Sequence, residues 1–251
     1  MTINTKAFNT LFKTELKLSL RGIDMLIFAI FMPIIILVII GSLFGNKPAF
    51  TGANYTFLEQ SFGAISTIAI CAGGVMGLPI VVSDYRNVKI LKRFKVTPVS
   101  PVLILMVQIA IYALYSIVSL IALYLFALIF FDFQFYGSWL RFIGAYLLVM
   151  LSMFSIGLLV GGIAPNPKIA GAIASLLYFP MLIFSGTTLP YEMMPSSLQK
   201  IADILPLTQG IKLLKATSLN LPIEGVIIPI IVMVVIGALC ICISLRFFKW
   251  E

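Results

Sequence analysis

Six times between Ile23 and Leu245 the sequence enters an apolar run long enough to cross a membrane, each separated from the next by a short polar connection. A helical crossing needs about 20 apolar residues for a hydrocarbon layer about 30 Å thick. The runs at 23–44, 62–82, 102–131, 140–163, 169–185 and 226–245 therefore occupy most of the 251 residues. Hydrophobic residues make up 61% and charged residues 10%, against roughly 45–50% apolar in soluble domains. The chain reads as an all-α polytopic membrane protein with a single transmembrane domain over 1–251 and no room for a soluble catalytic domain. Inside lipid the backbone has to satisfy its own polar groups, so runs this long become helices.

Composition also excludes chemistry. There is no histidine, and Cys71, Cys240 and Cys242 all sit inside apolar runs, so neither a metal site nor a disulfide framework is expected. The formal charge of +8 does not point to nucleic acid, because the lysines and arginines lie in the connections between apolar runs, where membrane topology accounts for them.

Residues 1–22 read as an amphipathic helix lying at the lipid headgroups. Phe8, Leu11, Phe12, Leu16 and Leu20 recur at spacings of three and four, with Lys6, Asn9, Lys13 and Lys17 elsewhere on the wheel. In the first span Pro33 is expected to bend the helix where a hydrogen bond is lost. Gly73, Gly74 and Gly77 in the second span, and Gly157 and Gly161 in the fourth, let helices approach closely. The third span is unusually long, and the link 164–168 makes spans four and five a tight hairpin. After the short fifth span with Pro180, the apolar run is interrupted by Gly186 and Pro190. Met194, Leu198, Ile201 and Leu205 then follow at helical spacing, in a stretch too short and polar to cross. Residues 186–205 are read as broken helices that partly re-enter the membrane, a plain surface helix being the alternative. Thr208 to Asn220 is read as a further polar connection.

Charge sets the orientation. With the termini on one side, that side carries twelve basic residues; the opposite side carries five, Lys47, Arg141, Lys200, Lys212 and Lys215. The excess places both termini in the cytoplasm of a multi-pass plasma-membrane protein. The densest charge, Arg86, Lys89, Lys92, Arg93 and Lys95, falls in the connection after span two. On a helix over 84–97, Val88, Leu91 and Phe94 form an apolar ridge with basic flanks, suited to an acidic, apolar groove of a partner. An ordinary positive-inside loop resting on anionic lipid is the competing reading.

No ionisable residue stands near the middle of any span, so proton or sodium coupling has nothing to bind to. Nor is there a phosphate-cradling loop; Gly41 to Lys47 has the wrong spacing and ends at Pro48. Active movement of a solute would need energy from a second protein.

The stretch Tyr85 to Pro101 resembles the coupling segment of ABC transporter permeases of the type-2 exporter family. Leu91, Arg93, Thr97, Pro98, Val99 and Ser100 match that family's pattern. Ser185 to Pro195, followed by Leu198 to Ile201 and Leu205 to Thr208, looks like the family's segment between spans five and six. Two positions depart: Asn87 stands where the family usually has Glu, and Lys89 where it usually has Gly. The loss of Gly favours a continuous helix here, since Gly disfavours helix by about 1 kcal/mol.

The resemblance implies the membrane subunit of an ABC exporter, not itself an ATPase. It would work with two ABC ATPase subunits and a second permease copy or paralogue, surrounded by membrane lipid. It implies that this chain binds no cofactor and that ATP and Mg sit on the ATPase partner. Contacts to that partner fall on Tyr85, Arg86, Asn87, Lys89, Leu91, Lys92, Arg93, Phe94 and Thr97. Phe8, Leu11, Phe12 and Leu16 face the interface from the first helix, and Ser185, Gly186, Pro190, Glu192 and Pro195 mark the outer re-entrant segment. The expected cargo is an amphipathic or lipophilic drug, peptide antibiotic or lipid, given span interiors with scattered Ser, Thr and Tyr and Gln108. A lipid-linked polysaccharide exporter, or a non-transporting immunity or scaffold protein, is the alternative.

Overall fold

Successive long helices run in opposite directions, and their even number returns the chain to the end from which it started. The computed structural model describes residues 5–45, 47–89, 101–187, 191, 194–222 and 225–247. α1 is Thr5–Arg21. α2 comprises Ile23–Leu26, a π-helical segment Ile27–Phe31 and Met32–Phe44. α3 is Phe57–Asn87, interrupted by a π-helical segment at Ala72–Gly77. α4 is Pro101–Phe131, α5 Trp139–Ile163 and α6 Pro167–Phe184. Two short helices, α7 (Ser196–Ala202) and α8 (Pro206–Ser218), precede α9, Ile227–Phe247. Six of these helices, α2 to α6 and α9, are long and apolar enough to cross a membrane. The fold is all-helical, with no strand among the described residues.

Proline placement explains the two π segments. Pro33 and Pro79 each stand second after one, with Met32 and Leu78 between, and the residues four positions earlier, Ala29 and Val75, lie inside it. A proline inside a helix clashes with the carbonyl four residues back and leaves it without a donor. Widening the preceding turn relieves both problems. Pro33 is thus absorbed by a local change of helix type as well as by any bend.

α3 is the axis of the bundle. Every residue from Phe57 to Cys71 is buried. Its hydroxyls avoid an unsatisfied burial by turning back on their own helix: Ser61 donates to Phe57 O at 2.8 Å, Ser66 to Gly63 O at 2.7 Å and Thr67 to Ala64 O at 2.7 Å. The helix starts in a capping box, with Thr56 Oγ1 accepting from Glu59 N and Glu59 Oε2 accepting from Thr56 N. The other Glu59 oxygen accepts from Gln134 N at 3.0 Å, tying the connection between α4 and α5 to the same end.

Glycines set the α3–α5 seam. A Cβ on Gly161 would stand 2.8 Å from Val82 Cβ and 3.0 Å from the Pro79 carbonyl oxygen, and one on Gly157 would collide with the Gly74 carbonyl. Backbone therefore meets backbone along this seam, the arrangement that small residues permit in lipid. α5 is held to α4 by Tyr146 OH donating to Ser116 O at 2.8 Å, and to α9 by Ser152 Oγ donating to Met233 O at 2.7 Å.

The stretch 208–220, expected to be a polar connection, is instead mostly α8, a buried helix. Leu207, Thr208, Gln209, Gly210, Ile211, Leu213, Leu214 and Ser218 are buried. It wedges against α3, α5 and α9. Gly63 makes this possible, since a Cβ there would lie 3.0 Å from the backbone of Leu214 and Lys215.

Candidate functional site

At the end of the bundle where α3 finishes and α4 starts, α1 lies against the bundle, chiefly against α4. Its Phe8, Leu11, Phe12 and Leu16 are half-buried on the core, whereas Lys13 and Lys17 are exposed. The contact is more than apolar. Tyr85 OH donates to Glu15 Oε2 at 2.5 Å, and Gln108 Nε2 lies 3.0 Å from the same carboxylate oxygen and 2.9 Å from the Tyr85 oxygen. Three helices, α1, the end of α3 and the start of α4, thus meet on one carboxylate. One turn further along α1, Ser19 Oγ and Tyr115 OH are 3.0 Å apart. A hydrogen bond to an ionised group is about twice as strong as a neutral one, so Glu15 is the main polar fastening of α1.

The end of α3 differs from the sequence expectation. No separate helix begins at 84, because 84–87 form the last turn of α3. Arg86 points inward and is buried, donating from Nη1 to Gly161 O at 2.9 Å and Ala164 O at 2.8 Å. It caps the carbonyls that the end of α5 leaves unpaired. Asn87 and Lys89 are exposed. The expected continuous helix through Lys89 does not form: Lys89 has φ 56, a left-handed conformation that stops it. The backbone here keeps the shape that a glycine would favour although the residue is lysine. Leu91, Lys92, Arg93, Phe94 and Thr97 lie outside the described residues.

A helix periodicity alone does not reveal Glu15, Tyr85 and Gln108 as a set, since they are far apart in the sequence. The available signal was an acidic residue on an otherwise basic amphipathic helix, beside a glutamine near the start of an apolar span.

At the opposite end, Ser185 closes α6 and is buried, Gly186 turns the chain at φ 101, and Pro195 is the exposed N-cap of α7. Pro190 and Glu192 lie outside the described residues. Asp203, just after α7, accepts from Lys212 Nζ at 2.6 Å and from Tyr191 OH at 2.9 Å. Lys212 also sits 4.6 Å from the centre of the Tyr191 ring. Burial, then the hydrogen bond to Asp203, raise the Tyr191 phenol above the usual tyrosine range. This cluster fastens α7 onto α8, beside a cavity of 540 Å³ between α3, α6 and α8.

The family model of the ABC-2 type transporter matches residues 6–219. The chain belongs to the ABC-2 type transporter family. The match covers everything from α1 to just past α8, so the fastened α1, the buried Arg86 cap and the far-end helices all fall within the ABC-2 region. Among curated relatives, Nodulation protein J of Neorhizobium galegae is 33% identical over 98 residues, covering 39% of this chain and 35% of that protein. Nodulation protein J of Rhizobium leguminosarum bv. viciae is 35% identical over 97 residues, with 39% and 35% covered. The same-named protein of Sinorhizobium fredii (strain NBRC 101917 / NGR234) is 30% identical over 116 residues, with 45% and 42% covered. The matched stretch thus spans well under half the length of these relatives. With six apolar helices and this family, the ABC-2 chain is a multi-pass membrane protein.

Proposed function

We propose that the chain is the membrane-spanning permease subunit of an ATP-driven ABC exporter, moving an amphipathic or lipophilic solute out of the cytoplasm or the inner leaflet. The observation that carries this reading is the ABC-2 match over residues 6–219 on a frame of six membrane-crossing helices. The sequence has no phosphate-cradling loop of its own. ATP and Mg therefore belong to a separate ATPase pair, and a second permease, identical or similar, completes the complex. The basic residues between α3 and α4 face the cytoplasm and receive the ATPase. Movement there passes directly into the spans, because α3 is helical throughout from Phe57 to Asn87, its π-helical segment included. Glu15 draws α1 along with it through Tyr85 and Gln108. At the other face, 186–205 and α8 form the outer closure of the path, with 186–205 partly re-entering the membrane.

Charge reversal at Lys92 and Arg93 tests the docking surface. Arg86 is left intact because it is used inside the fold. The double variant is expected to insert and melt like the wild type, to lose co-purification of the ATPase, and to lose ATP-dependent efflux from inside-out vesicles. Unchanged co-purification and transport would remove the docking assignment. Solute movement that needs neither ATP nor the ATPase would remove the exporter reading altogether.

A further inference from the structure

The wall of the cavity between α3, α6 and α8 includes three buried polar atoms that the fold does not use. Several buried hydroxyls of the bundle, those of Ser61, Ser66, Thr67 and Ser116, donate to a carbonyl about one turn back, whereas Ser83 Oγ and Ser119 Oγ, away from this cavity, have no partner among the described residues. Gln60 Oε1, Ser185 Oγ and Thr208 Oγ1 are buried without a hydrogen-bond partner, and all three residues line this one cavity. Their exposures are 6%, 0% and 1%. The reasons are local. Ser185 ends α6, where its own N–H already occupies the Met181 carbonyl at 3.1 Å. Thr208 lies in the first turn of α8, with no helical carbonyl one turn behind it.

Buried polar groups without partners are rare enough that each needs an explanation, and three of the five among the described residues lie on this single wall. At 540 Å³ the cavity falls in the size range of small-molecule sites, about 300–1,000 Å³. The rest of its wall includes Ala64, Ile211 and Leu221, which suit an alkyl group. Charge at the rim is largely spoken for: Lys212 is paired with Asp203 at 2.6 Å, and Lys215 is engaged within the protein. We propose that this cavity binds an uncharged amphiphile, its hydroxyl-bearing head held by Gln60, Ser185 and Thr208 and its alkyl part lying against Ala64, Ile211 and Leu221. This goes beyond the transport reading, because such binding requires no ATPase and stands or falls separately from export.

The test uses the full chain in zwitterionic nanodiscs and follows thermal unfolding with 1-monooctanoylglycerol, free glycerol or octyl phosphate. 1-Monooctanoylglycerol is expected to raise the melting temperature saturably, glycerol to do so only at far higher concentration, and octyl phosphate to have little effect. The Ser185→Ala, Thr208→Val variant, without added ligand, should melt at or above the wild type because two unpartnered hydroxyls are gone. Its apparent affinity for 1-monooctanoylglycerol should fall at least tenfold. The comparison of the three probes on the wild type stands even if the variant does not fold. No shift on the wild type would mean that water satisfies these groups and would overturn the proposal. Equal shifts with octyl phosphate, or equal affinity in a folded variant, would overturn it as well.

Discussion

Arg86 on α3 grips the end of α5 by donating to the main-chain oxygens of Gly161 and Ala164 at 2.9 and 2.8 Å. One residue thereby closes the end of the seam that Gly74, Gly157 and Gly161 make possible. A basic residue in a basic segment is thus structural, while its neighbours Asn87 and Lys89 face outward.

Replacing Arg86 with Met keeps the length of the side chain and removes the donors. Hydrogen bonds to charged groups contribute about 1.5–3 kcal/mol net, and a loss of that order is expected in equilibrium unfolding of the detergent-solubilised protein. An Arg86→Lys chain should recover only part of it, since an ammonium cannot match the fork of a guanidinium. If Arg86→Met unfolds like the wild type, the cap contributes nothing to stability.

The α3–α5 seam makes a sharper prediction at Gly157. Alanine there would drive its methyl group into the Gly74 carbonyl, and a main-chain atom does not move aside as a side-chain tip would. Overpacking of this kind costs about 1–3 kcal/mol. Gly144 serves as the control, because nothing lies within 4 Å of a Cβ placed there. Gly144→Ala should be neutral or slightly stabilising in the same unfolding measurement. Equal effects at the two positions would contradict the seam.

The six apolar helices were legible in the sequence because membrane-crossing length and apolarity are local properties, written without interruption in each run. The buried helix α8 was not. Thr208, Gln209, Lys212 and Lys215 give it the composition of a connection, and its burial depends on Gly63, some 150 positions away, leaving room for Leu214. The Glu15–Tyr85–Gln108 cluster was hidden for the same reason: hydrogen bonds across three helices have no signature in spacing. Arg86 was hidden by its company. In a segment with so many cations, the neighbouring helix end at Ala164 is what distinguishes it.

Lys89 offers a test of backbone shape. Its φ of 56 places a β-carbon in the left-handed region, which costs a non-glycine residue about 1–2 kcal/mol. Glycine removes that strain but also loosens the unfolded chain, so Lys89→Gly is expected to stabilise by up to about 1 kcal/mol. Lys89→Ala controls for the loss of charge and should not stabilise. Thermal unfolding of the two variants side by side decides between strain and charge.

The Glu15 cluster is best measured as a double-mutant cycle. Tyr85→Phe removes one hydrogen bond to the carboxylate while keeping the ring, and Glu15→Gln keeps the shape while removing the charge. The coupling between them should be about 1–2 kcal/mol, larger than for a neutral pair, because the acceptor is ionised. Additive effects would show that Glu15 does not hold α1 through Tyr85.

Tyr191 gives the alkaline counterpart. Its phenol is held above the usual tyrosine value of about 10 by burial and by the hydrogen bond to Asp203. The native state therefore keeps its proton to higher pH than the unfolded chain does. Between the two values the native state binds more protons, so stability falls as pH rises, and the contribution is whole only below the unfolded value. Ultraviolet difference titration of the wild type against Tyr191→Phe should show a phenol ionising later than free tyrosine. Asp203→Asn removes the charge that opposes a phenolate and should move that ionisation back down. A Tyr191 that titrates as in a free peptide, unchanged by Asp203→Asn, would mean that the fastening of α7 to α8 does not persist in the membrane.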